Sequence, residues 1–66
     1  MSFIYIVEIK QNRTLVDSTT TDNLSKAVSY AEKNSLIGDL VVVSEGYTAS
    51  DGVVEVNDHI NSWYVD

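Results

Sequence analysis

The sequence contains no cysteine and no proline, and it has one histidine among 66 residues. Without cysteine the chain can form neither a disulfide framework nor a thiolate zinc finger. Small secreted domains commonly depend on disulfides, so their absence favours a reducing compartment, and we expect a cytoplasmic protein. The chain also lacks a Gly-x-Ser-x-Gly motif and a glycine-rich phosphate loop. We therefore expect a protein that is not an enzyme, with no catalytic residues and no cofactor.

Long apolar runs are also missing. No segment approaches the roughly 20 apolar residues that cross a bilayer, and Glu8 interrupts the apolar N-terminal segment. That segment has no basic region, which argues against a signal peptide, and we expect no membrane contact. A chain of 66 residues cannot fill two cores, so residues 1–66 are predicted to form a single domain.

Basic residues are few and unevenly placed. The formal net charge is −6; all four bases lie in residues 1–33, whereas residues 34–66 contain six acidic residues and no lysine or arginine. A surface of this sign repels nucleic-acid phosphates, so we expect no direct nucleic-acid binding and a basic protein surface as the partner. The plain alternative is an acidic half that serves only to keep the protein soluble.

The hydrophobic pattern predicts one helix and several strands. Leu24, Ala27, Val28 and Ala31 recur at i, i+3, i+4 and i+7, which predicts an amphipathic helix within residues 21–35 that buries this stripe. Thr21 or Asp22 is predicted to cap its start, and Asn34 to end it in a left-handed conformation. Gly38 is expected to permit the turn back to the sheet. Strands are predicted at residues 3–10, 14–19, 40–43 and 53–56, and residues 60–65 are predicted to form either a last edge strand or a short helical turn.

These elements predict an α+β fold in which one amphipathic helix packs on a mainly antiparallel sheet of three to five strands. The element order is ββαβββ, or βαβββ if residues 14–19 are irregular. The four consecutive apolar residues at 40–43 are typical of a central strand that is covered on both faces. Residues 45–52 are predicted to form a loop, and residues 57–59 to separate the last two strands. One face of the sheet is expected to be at least partly open.

Candidate partner-binding residues come from the acidic half. Carboxylates at alternate positions of a strand project on one face about 6.6 Å apart, which is twice the rise per residue. Such a row can occupy a groove whose lysines and arginines otherwise hold phosphates. Tyr47, expected in a glycine-flanked loop, is a candidate aromatic anchor for a protein interface. The predicted partner-binding residues are Asp39, Glu45, Tyr47, Asp51, Glu55 and Asp58.

A metal site is the competing interpretation of part of this segment. Asp51, Glu55, Asp58 and His59 offer oxygen and imidazole ligands within nine residues. Their spacing matches neither a calcium-binding EF-hand loop nor the His-Glu-x-x-His motif. We therefore interpret them as a polar segment with a surface histidine and predict no metal site.

As a pattern of elements, the chain resembles the small acidic inhibitor proteins of bacteriophages, which include anti-CRISPR proteins and nucleic-acid mimics. The matching features are the Met1-Ser2 start, the N-terminal strand at 3–9, one amphipathic helix at 22–33, and two or three acidic strands that end in Trp63-Tyr64. The resemblance is to the pattern, not to any residue motif, so it assigns no functional residue. It implies an inhibitor that binds a host protein in the host cytoplasm.

The alternative function is structural. Apolar residues lie on both sides of the first and third predicted strands, and the small core leaves them without partners. A small homo-oligomeric module, such as a homodimer that pairs through its open sheet face, would bury them.

Overall fold

The computed structural model of the protein describes residues 3–66, so Met1 and Ser2 of the predicted N-terminal pattern lie outside the described residues. The elements follow in the order β1 (Phe3–Gln11), β2 (Thr14–Thr21), α1 (Leu24–Asn34), β3 (Leu40–Thr48) and β4 (Val54–Tyr64). The four strands form one antiparallel sheet in the order β2-β1-β3-β4. The predicted α+β fold, with one helix on an antiparallel sheet, is confirmed, and its element order is ββαββ.

The hairpin between β1 and β2 turns on two left-handed residues. Asn12 has φ 50° and Arg13 has φ 69°, as the central pair of a type I′ turn requires. This turn matches the right-handed twist of the flanking strands, so it lets β2 pair with β1. Residues 14–19 therefore belong to a strand, whose pairing with β1 has one irregularity at Val16.

The N-cap of the helix lies one or two residues later than predicted. The side-chain oxygen of Asn23 accepts hydrogen bonds from the backbone N–H groups of Ser25 (2.8 Å) and Lys26 (3.3 Å). Asn23, and not Thr21 or Asp22, is thus the N-cap. The predicted left-handed end at Asn34 is also wrong, since the helix is capped by Ser35 in an extended conformation and the positive φ occurs at Gly38.

The core lies between the helix and the two central strands. Six residues are 0–1% exposed: Val7, Ile9, Ala27, Ala31, Val41 and Val43. The helix contributes only its two alanines, whose small side chains allow its backbone to approach the sheet. Leu24 is 41% exposed and Val28 is half-buried, so the prediction that they belong to the buried stripe is wrong. The hydroxyl of Tyr30 donates to Asp17 at 2.7 Å and joins the helix to β2.

The second half of the sheet departs most from the sequence pattern. The predicted loop at 45–52 is in fact strand as far as Thr48, and a short turn at 49–53 leads into β4. The predicted break at 57–59 is also wrong, because β4 is continuous and accommodates extra residues as two β-bulges, at Asn57 and Ile60. Residues 40–43 lie in a central strand as predicted, but the helix covers only one of its faces. We call the covered side the helix-side face and the other side the open face.

Candidate functional site

The helix-side face continues beyond the core along β3. Alternate residues of a strand share a face, so Glu45 and Tyr47 lie on the same side as the buried Val41 and Val43. Both are half-buried, although the sequence pattern predicts a loop there. A strand holds these side chains in a defined register, which a flexible loop would not do.

The neighbouring strand adds two more carboxylates to this face. Glu55 lies directly opposite Tyr47, and Asp58 lies directly opposite Glu45. Glu55 and Asp58 are three residues apart, so in a regular strand they would point to opposite faces. The bulge at Asn57 inserts one extra residue between them and brings both to the helix-side face. We call Glu45, Tyr47, Glu55 and Asp58 the acidic patch.

The acidic patch contains an unfavourable pair. Residues directly opposite each other on antiparallel strands have Cβ atoms about 4.5–5.5 Å apart, and like charges in this position destabilise a sheet. Glu45 and Asp58 form such a pair. Within residues 3–66 the one ion pair joins Lys26 to Asp22 at the start of the helix, with 3.4 Å between Nζ and Oδ1. No cation of the described chain therefore neutralises the patch through an ion pair.

Tyr47 acts as the hydrogen-bond donor within the patch. Its hydroxyl donates to Oε2 of Glu55 at 2.5 Å. This hydrogen bond, together with the negative charge of Glu55 and partial desolvation, raises the pKa of Tyr47 above its ordinary value. Tyr47 therefore stays protonated at neutral pH, and the contact fixes both its ring and the Glu55 carboxylate.

An exposed aromatic residue borders the patch, and sequence reasoning missed it. Phe3 lies directly opposite Tyr47 on β1 and is 53% exposed. Phe3 lies on the same side of β1 as Val7 and Ile9, because alternate residues of a strand share a face. Its position beside Tyr47, however, depends on the pairing of β1 with β3, for which the sequence holds no local signal. Phe3 and Tyr47 add apolar contact area to an otherwise charged surface.

Two of the predicted partner-binding residues lie outside the patch. Asp39 is 5% exposed, and its carboxylate accepts hydrogen bonds from the backbone N–H of Leu36 (2.9 Å) and from Nε2 of Gln11 (3.5 Å). It stabilises the connection between α1 and β3, at the other end of the strand from the patch. Asp51 is exposed and accepts from the backbone N–H of Val53 at 3.1 Å, within the turn that joins β3 to β4.

The four ligands of the competing metal interpretation do not come together. His59 lies opposite Ser44 and therefore on the open face, whereas Glu55 and Asp58 lie on the helix-side face. In residues 3–66 no three or more acidic, histidine or cysteine side chains are grouped so that they could hold a metal ion. No helix in this part of the chain is long and apolar enough to span a membrane.

The fold and the patch define the molecule by architecture, as a small α+β protein with one helix on a four-stranded antiparallel sheet. Comparison with protein-family models, curated proteins and solved structures finds no match to the chain.

Proposed function

We propose that the protein is a non-enzymatic binding module that docks its acidic patch on a basic surface of another protein. The observation that carries this proposal is the like-charge pair of Glu45 and Asp58, which the bulge at Asn57 places beside Glu55 on one face of the sheet. Features that break a local stability rule without an evident compensation are expected mainly at functional sites.

A cation from a partner would remove this repulsion. An arginine placed between two neighbouring carboxylates can donate to both, and charge-assisted hydrogen bonds of this kind are stronger than neutral ones. Binding then gains the new contacts and also the relief of a repulsion that the free protein carries. Charge complementarity of this sort mainly raises the association rate and makes it sensitive to salt.

The shape of the patch favours a protein partner over a small ion. Its carboxylates lie on two paired strands, so they form an acidic surface that extends from one strand to the next. Tyr47 and Phe3 lie beside them, and tyrosine is enriched among the residues that dominate binding energy at protein interfaces. A basic groove that otherwise binds nucleic-acid phosphates has the charge to match.

The resemblance to small acidic phage proteins extends the proposal to inhibition. A module that occupies the lysines and arginines of a nucleic-acid-binding groove would exclude the nucleic acid from that groove. In this proposal the target is a host factor, and the encounter takes place in the host cytoplasm.

Charge reversal tests the proposal. We expect the double variant Glu55→Lys with Asp58→Lys to lose binding to basic proteins captured from a host lysate and to a short oligoarginine peptide. Each reversed contact should cost on the order of 1 kcal/mol or more, mostly through slower association. The matched control is Glu32→Lys with Asp66→Lys, which changes the net charge equally at exposed positions away from the patch. Asp17 is unsuitable as a control because it accepts the Tyr30 hydrogen bond.

Both variants must first show the melting temperature of the wild type, so that a folding defect is not taken for a lost contact. Binding by the wild type should weaken from low to high salt. If the patch and control variants bind alike, or if binding does not respond to salt, the acidic patch is not the docking surface.

A further inference from the structure

The open face carries a group of apolar side chains that the helix does not cover. The pairing of the strands places Ile4, Ile6, Leu40 and Val42 on it from the central strands, and Leu15, Val56 and Tyr64 from the two edge strands. Tyr64 is 70% exposed, Val56 63% and Leu15 50%. These apolar residues alternate with polar ones, among them Ser18, Thr20, Ser44, Thr48, His59 and Ser62. Together they still form a larger apolar group than the single apolar residues scattered over an ordinary protein surface.

The charge of the open face indicates what covers it. Within the four strands its lysine, arginine and acidic residues are Glu8 and Lys10, one of each sign, whereas the whole chain carries a formal charge of −6. Two copies that approach through their helix-side faces would bring acidic patches together. Two copies that approach through their open faces bring together surfaces on which one acidic and one basic residue balance. Charge therefore favours a second copy of this chain on this face.

Pairing through the sheet edges is less favourable than pairing through the face. An added strand needs a regular row of free N–H and C=O groups, and β-bulges interrupt that row. The outer strand β4 carries bulges at Asn57 and Ile60, and the other outer strand, β2, has an irregularity at Val16. The edges are thus protected while the open face is not.

The size of the face is close to what a dimer needs. Four strands about 4.8 Å apart, paired over about eight residues at about 3.3 Å each, span roughly 500 Å² in projection. Side-chain relief increases the accessible area above the projected one. The result approaches the roughly 600–1,000 Å² that each partner contributes to a stable interface.

We infer that two copies of this protein pack open face to open face as a symmetric dimer. The two sheets would form a sandwich about 10 Å thick with Ile6 and Val42 near its centre and one helix on each outer side. Both acidic patches then remain on the outside of the dimer. The inference does not depend on the proposed function, although a dimer with two patches would bind a multivalent partner more tightly.

Sedimentation of the wild type and two variants over a range of concentrations tests the dimer. Ile6→Glu adds a second carboxylate to the middle of the face, where Glu8 already lies opposite Val42, and Tyr64→Glu places one on a side chain too exposed to matter for folding. Each should weaken dimerisation by about tenfold or more, since burying an unpaired charge is costly. The control Ile37→Glu adds the same charge at an 83% exposed position in the connection between α1 and β3, and it should leave the dimer intact.

Circular dichroism shows which variants remain folded, and if Ile6→Glu unfolds, Tyr64→Glu decides. A wild type that sediments as a monomer at every concentration overturns the inference. A dimer that survives Tyr64→Glu, or an open-ended series of larger species, overturns it as well, since both require a different contact. The double variant Glu55→Lys with Asp58→Lys should still dimerise. The experiment therefore distinguishes a failure of the proposed function from a failure of the dimer.

Discussion

Replacing Asp58 with asparagine should stabilise the free protein while it weakens binding to a basic partner. In the sheet, Asp58 lies directly opposite Glu45, and Glu55 is nearby on the same face. Asparagine has nearly the same shape as aspartate and keeps polar contacts with water, so the substitution removes mainly the charge. An ordinary surface position offers no reason for stability and binding to change in opposite directions.

The expected gain follows from the spacing of the pair. Two charges about 5–8 Å apart in a medium close to water repel by roughly 0.5–0.8 kcal/mol, within the roughly 0.2–1 kcal/mol typical of cross-strand pairs. Allowing for flexible side chains, we expect about 0.5 kcal/mol. In a domain of this size, that raises the melting temperature by about 2–4 °C.

Thermal unfolding at low and high salt measures the effect. At about 1 M salt the screening length falls to about 3 Å, so the gain from Asp58→Asn should largely disappear. Asp66→Asn is the control, because it removes the same charge at an exposed position outside the sheet, and it should change stability much less. An unchanged or lower melting temperature for Asp58→Asn at low salt would refute the claim that the patch holds an unrelieved repulsion.

Three further predictions concern the fold and the patch. Gly46→Ala should destabilise the protein by about 1–3 kcal/mol in denaturant titrations, because a Cβ at this position would lie 2.3 Å from the backbone oxygen of Glu55. A variant as stable as the wild type would show that β4 can move away from β3 at no cost. Ala31→Asp should unfold the domain, since this position is 0% exposed and an unpaired buried carboxylate costs several kcal/mol. Leu24→Asp should be tolerated. Circular dichroism distinguishes the two variants, and equal effects would mean that the helix packs on the sheet through a different side. Glu55→Gln should lower the pKa of Tyr47 towards its ordinary value, because the acceptor loses its charge. Tyrosinate absorbance in an alkaline titration measures the change, and an unchanged titration would mean that the two side chains do not interact.

The raised pKa of Tyr47 also sets the sign of its effect on stability. Its pKa is higher in the folded protein than in the unfolded chain, so its hydrogen bond to Glu55 contributes fully below the unfolded value of about 10. The contribution is lost as the pH rises through the folded value. Tyr30, whose pKa is raised by its hydrogen bond to Asp17, follows the same direction. Neither tyrosine makes stability depend on pH near neutrality.

Local patterns in the sequence were sufficient for the helix and the first strand, but not for the full lengths of β3 and β4. The apolar spacing from Leu24 to Ala31 identifies the helix, because a helix satisfies its backbone hydrogen bonds within its own segment. The alternation at residues 3–10 likewise identifies β1. The concentration of negative charge in residues 34–66 is also plain from the sequence. The sequence does not show which side chains of the helix are buried, because the rotation of the helix depends on how closely the two alanines allow it to approach the sheet.

The composition of the acidic patch was decided by the tertiary structure. A strand period of two predicts that Glu55 and Asp58 point to opposite faces, and only the bulge at Asn57 unites them. That bulge lies beside Gly46, where the backbones of β3 and β4 come too close for a side chain. The pairing of β1 with β3 places Tyr47 beside Phe3, and Asp39 is buried in the connection that precedes β3. Such contacts join residues that are distant in the sequence, so no local pattern encodes them. The sequence by itself determined the helix, the first strand and the total charge. The pairing of strands determined the lengths of β3 and β4 and which charges meet.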